Sequence, residues 1–178
     1  KEEKMANRFY KLALGGIFAI IIIGGYMAFT GYANDVYPLD QSVGFLDRIV
    51  ATSDPQSIIA DINSIKANLP ETGNPVWIFP TDSTNFVRIQ ADLDTMLISA
   101  EKIAAVPTDS AAYHTGMLDI NSRSVLIQEN ISDAIPYMYV SFLNIIFSSI
   151  WIAAILGIFA VLNKKKQKMQ EYDVSQDV

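Results

Sequence analysis

"YVSFLNIIFSSIWIAAILGIFAVL", residues 139–162, holds no charged side chain. A second stretch of the same kind, "LALGGIFAIIIIGGYMAFTGY", covers residues 12–32. An α-helix needs about 20 predominantly apolar residues to cross a bilayer core. Both runs meet that length. The hundred or so residues between them could not wrap two such helices as a buried core. Two transmembrane helices are therefore expected, over 12–32 and 139–162. A cleaved signal sequence is the rival reading of the first run. Its apolar core exceeds the about 7–15 residues usual in a signal, so the segment is expected to be retained.

Charge sets the expected orientation. Lys1, Lys4, Arg8 and Lys11 precede the first run, and Lys164, Lys165, Lys166 and Lys168 follow the second. Residues 33–138 carry five basic and fourteen acidic side chains, a net of about −9. Positive flanks stay in the cytoplasm. The expected layout is a cytoplasmic basic tail over 1–11, the two spans, an extracytoplasmic domain over 33–138 and a second cytoplasmic tail over 163–178. The implied location is the plasma membrane. No cysteine is present, so an exterior domain would be held by its core and its partners.

The middle of the chain reads as helical. Apolar residues at Leu39, Val43, Leu46 and Val50 mark a first seam. Asp54 is placed to cap a second helix, with Pro55 at its first position. Ile58, Ile62, Ile65 and Leu69 form that helix's seam. Pro70, Gly73 and Pro75 end it. "TDST" (81–84) offers the next cap, followed by a seam of Phe86, Ile89, Leu93, Met96, Ala100 and Ile103. "VPTDS" (106–110) opens a fourth helix with Tyr113, Met117, Ile120, Ser124, Ile127, Ile131 and Ala134, merging into the second span with Pro136 as a possible kink point. The fold class expected is all-α: two transmembrane helices flanking an extracytoplasmic antiparallel four-helix bundle.

Between the second and third seams lies "NPVWIFP" (74–80). Short connections elsewhere make successive helices alternate in direction. That places this loop at the membrane end of the bundle. Val76, Trp77, Ile78 and Phe79 are then candidates for contact with the outer lipid interface or a partner subunit, since Trp favours that zone. The plainer alternative is that these residues plug the open end of the bundle.

Chemistry is sparse. The single histidine, His114, has no cysteine or second imidazole to join, which excludes a Cys/His zinc site within the chain. Asp119 is five residues on and off its helical face. Asp92 and Asp94 point apart on a helix. The "NIS" triplet at Asn130 is a single chance-level glycosylation match. No cofactor is expected, no phosphate-binding or dinucleotide motif is present, and the acidic middle argues against nucleic acid. The chain is expected not to be an enzyme by itself.

Within the spans, Gly24, Ala28 and Gly31 share one helical face, and Ser149, Ala153 and Gly157 another. Small residues at such spacing let membrane helices approach closely. Asn144 is the polar side chain placed to hydrogen-bond a neighbouring helix. Neither span carries an Asp, Glu, Lys, Arg or His, which argues against conduction or proton relay. Only about a dozen residues follow the "KKK" at 164–166, so no cytoplasmic output domain is expected. The expectation is a non-catalytic accessory subunit whose partners are other integral membrane subunits and the lipid bilayer.

Two resemblances follow from this layout. The Ile-rich spans and absent cysteines resemble the small helical accessory subunits of archaeal ammonia monooxygenase, a membrane copper complex. That likeness implies a chain whose copper and catalysis belong to other subunits. The order span, four helices, span also resembles the ligand-binding half of four-helix bacterial chemoreceptors. That implies the alternative function, an exterior ligand-binding module.

Overall fold

The computed structural model describes residues 2–176. Lys1 of the first basic tail and residues 177–178 of the last lie outside the described residues, as do the side chains of Lys4, Arg8 and Lys166. The described residues are mostly helical, with no strand among them. The elements are α1 (Glu2–Gly31), a π-helical turn (Tyr32–Val36), α2 (Tyr37–Ala51), α3 (Pro55–Asn68), α4 (Phe86–Ala104), α5 (Ala111–Tyr139) and α6 (Phe142–Gln176). They form two compact units. One holds the residues up to Thr30 together with those from Phe142, and the other holds Gly31–Ser141.

In the first unit, α1 and α6 each contain a stretch long and apolar enough to cross a membrane. Their large apolar side chains, among them Phe18, Ile22, Phe29, Ile150 and Leu156, are exposed on the chain itself.

The second unit packs α2–α5 in a closed ring, each helix against its two neighbours. Successive helices run antiparallel. Met96 meets Ser124 and Ile103 meets Gly116 between α4 and α5. Lys66 pairs with Asp94, and Gln90 reaches the end of α3, between α3 and α4. One core runs the length of the ring. Ile58, Ile62 and Ile65 of α3, Ile89, Leu93 and Met96 of α4, and Ile120 and Ile131 of α5 are fully buried in it. Each such side chain contributes about 1.5–3 kcal/mol relative to exposure. The seams expected for α3, α4 and α5 are all buried.

Three local expectations are corrected. The α2 seam is Leu39, Ser42, Leu46 and Ile49, while Val50 is exposed. Val50 and Ile49 are adjacent and both apolar, so spacing alone did not separate them. Upstream, the π turn closes a wide ring from the Tyr37 N–H to the Tyr32 carbonyl and sends Val36 into the core. The cap of α4 is Asn85, whose side chain accepts from the Val87 N–H at 3.0 Å, rather than "TDST". The fourth helix also does not merge into the second span: α5 ends at Tyr139 and α6 begins at Phe142. The break falls at Val140 (ψ 47°), beyond Pro136. Gly31, Tyr32, Tyr139, Val140 and Ser141, at the inner ends of the expected spans, group with the four-helix unit.

Candidate docking surface

The segment between α3 and α4 is an Ω-shaped loop with a built neck. The Phe86 N–H donates to the Gly73 carbonyl at 2.9 Å. Gly73 has φ +107°, a conformation that a Cβ would strain. The Asn74 side chain then clasps both sides of the loop. Its Nδ2 donates to the Thr81 carbonyl at 2.7 Å, and its Oδ1 accepts from the Val76 N–H and from Thr84 Oγ1, both at 3.0 Å. The end of α3 is covered as well, because Gln90 Nε2 donates to the carbonyls of Lys66, Leu69 and Pro70. These carbonyls would otherwise be orphaned at a helix C-terminus.

This frame divides the four candidate residues. Val76 is buried, at 7% exposure, and anchors the loop inward. Trp77, Ile78 and Phe79 stand outward at 41, 54 and 81%.

Trp77 Nε1 donates to the Val140 carbonyl at 2.7 Å. That carbonyl belongs to the C-cap of α5, so the loop sits at the end of the unit where α5 finishes. The same end carries an aromatic group that the sequence did not reveal. Tyr32 stacks on Tyr139 with centroids 6.5 Å apart and lies 6.2 Å from Tyr37. All three tyrosines are exposed.

A second outward apolar surface lies on α5. Leu118, Val125 and Leu126, spaced i, i+7, i+8, are each more than half exposed on the face opposite the buried seam. Beside it, a surface cleft of about 400 Å³ is lined by Arg88, Arg123, Asp82, Asp92, Asn130 and Leu126, among others. Its two guanidiniums are already paired, Arg88 with Asp82 at 3.1 Å and Arg123 with Asp119 at 2.8 Å. Asp119 thus serves Arg123, and exposed His114 packs edge-on to Tyr113. Asp94 pairs with Lys66 and Asp92 faces the cleft, so the two carboxylates point apart. No group of three or more potential metal ligands occurs among the described residues.

The structure also holds a pair that sequence spacing could not disclose. Asp61 of α3 is buried, and Arg48 of α2 grips both its oxygens. The Arg48 guanidinium is held above its usual pKa, chiefly by that hydrogen bond. It also lies 4.9 Å over the Phe45 ring.

In the first unit, Gly24 gives the Trp151 ring its seat: an added Cβ would stand 2.8 Å from the indole. Trp151 Nε1 donates to the Ile20 carbonyl at 3.0 Å. Gly157 lies with Ala13, Gly16 and Ala154 along a groove of about 480 Å³. Ala28, Asn144, Ser149 and Ala153 are exposed, and Gly31 has open space beside it.

No protein family, curated protein or solved structure matches the chain.

Proposed function

We propose that the chain is a non-catalytic accessory subunit of a larger integral membrane complex. In this reading α1 and α6 span the plasma membrane, both basic tails are cytoplasmic, and the four-helix unit stands outside the membrane. The observation that carries it is the double-faced helix α5. Its inward seam fills the core, while Leu118, Val125 and Leu126 leave a second apolar stripe outward. A surface helix normally carries one apolar face, so large apolar side chains on its outer face suit contact with a partner. The open small-residue groove along Gly16, Ala154 and Gly157 adds a place for a neighbouring membrane helix. A copper monooxygenase of the kind suggested by the layout is one such parent complex, with catalysis in its other subunits.

Leu118→Gln combined with Leu126→Gln tests the reading. Partners should be lost on purification in mild detergent, with circular dichroism unchanged. Full retention of partners would contradict it.

A ligand-binding module is the second reading, favoured by the cleft that Arg88, Arg123 and Asp92 line. It predicts saturable thermal stabilisation by a small carboxylic or amino acid, abolished by Arg123→Ala.

A further inference from the structure

We infer that the 70–85 loop tip and the neighbouring tyrosines form a lipid-docking face that seats the four-helix unit on zwitterionic headgroups. This rests on reading α1 and α6 as membrane spans. Five observations support it. The tip is rigidly displayed: the Gly73–Phe86 neck and the Asn74 clasp hold Trp77, Ile78 and Phe79 outward. It lies at the end where the chain enters and leaves the unit, since Trp77 bonds Val140, two residues before α6 begins. If α6 crosses a bilayer, that end is the membrane-proximal one by covalent connection alone. Tyr32, Tyr37 and Tyr139 gather at the same end. Trp and Tyr concentrate at membrane interfaces because their rings are part apolar and part wet. The charge pattern then selects the lipid. Residues 73–80 carry no ionisable group, and the nearest flanking charges, Glu71 and Asp82, are acidic. Anionic headgroups would be repelled, so a zwitterionic surface fits. The Trp77 N–H is already donated to Val140, so the ring can leave bulk water without stranding its polar atom.

The chain lacks cysteine, so single spin labels can be placed at will. Phe79→Cys, Asp109→Cys and Ile150→Cys replace exposed residues of the loop tip, the opposite end of the unit and α6. The full chain is reconstituted in phosphatidylcholine vesicles. Collision with oxygen is compared with collision with a water-soluble nickel chelate. The expected result is an oxygen-to-nickel ratio at position 79 severalfold above that at 109 and below that at 150. A ratio at 79 equal to that at 109 would overturn the proposal. Shielding of 79 from both reagents would also overturn it, showing protein rather than lipid against the tip. A nickel-favoured label at 150 would instead show that the membrane-span reading had failed.

Discussion

The Trp77 indole and the Val140 carbonyl are joined at 2.7 Å across 63 residues of sequence. This bond ties the loop that follows α3 to the residue that ends α5. It gives a donor to a helix C-terminal carbonyl, the kind of group left without an intrahelical partner. Trp77→Phe keeps the apolar ring and removes the donor. The expected effect is a local loss of about 1 kcal/mol, or roughly fivefold faster amide exchange in the loop and around residues 137–141, with the global unfolding midpoint nearly unchanged. A large global loss measured by thermal melting would show that the loop is part of the core.

Arg48 and Asp61 predict an asymmetry. The carboxylate is buried and the guanidinium is mostly exposed, at 7 and 64% side-chain exposure. Arg48→Ala leaves a buried charge unpaired, whereas Asp61→Ala leaves an exposed charge in water. Arg48→Ala should therefore lower the unfolding midpoint more than Asp61→Ala does. Adding Asp61→Ala to Arg48→Ala should recover part of the loss in urea unfolding.

The legibility of the chain follows the range of its contacts. Seams in α3, α4 and α5 could be read because each buries residues at i, i+3 and i+4 with polar neighbours between them. The α2 seam was misread at Val50 because Ile49 beside it is equally apolar. Asp54 was recognisable as a cap through the Pro55 that follows it, whereas Asn85 was hidden behind four consecutive cap-forming residues. Val76 could not be told from Trp77 until the Asn74 clasp fixed which way each residue points. The Tyr32–Tyr139 stack and the Arg48–Asp61 pair join separate helices, and no local pattern marks them.

Asp54 gives a pH dependence with a definite sign. Its carboxyl is held below the usual range, first by the Ser57 hydroxyl and then by the N–H groups of Ser57 and Gln56. A carboxyl lowered in the folded state stabilises fully above its unfolded pKa of about 3.9. That contribution is lost as pH falls through the lower folded value. Asp54→Asn should keep a cap but lose this acid-side dependence. Thermal melts of both proteins between about pH 6 and about pH 2 would show the two curves converging toward acid. Parallel curves would refute the assignment.

Two helical glycines should respond differently to the same change. At Gly44 an added Cβ meets nothing within 4 Å, so Gly44→Ala should stabilise by about 0.5–1 kcal/mol. At Gly116 the Cβ would stand 2.5 Å from Ile103 Cδ1 and 2.6 Å from its Cγ1. Overpacking there costs about 1–3 kcal/mol and offsets the same helix gain, so Gly116→Ala should show no gain or a net loss. Denaturant unfolding of the two variants measures the contrast. Equal stabilisation at both sites would mean that α4 and α5 are less closely packed at this point.

On the function proposed above, the chain belongs to a fixed membrane assembly. Extraction of native membranes in mild detergent, followed by native mass spectrometry of the complex carrying this chain, tests it most directly. The expected result is a single assembly in which the chain is bound to other integral membrane subunits at constant stoichiometry. Recovery of the chain alone, from membranes extracted gently enough to preserve other complexes, would contradict it.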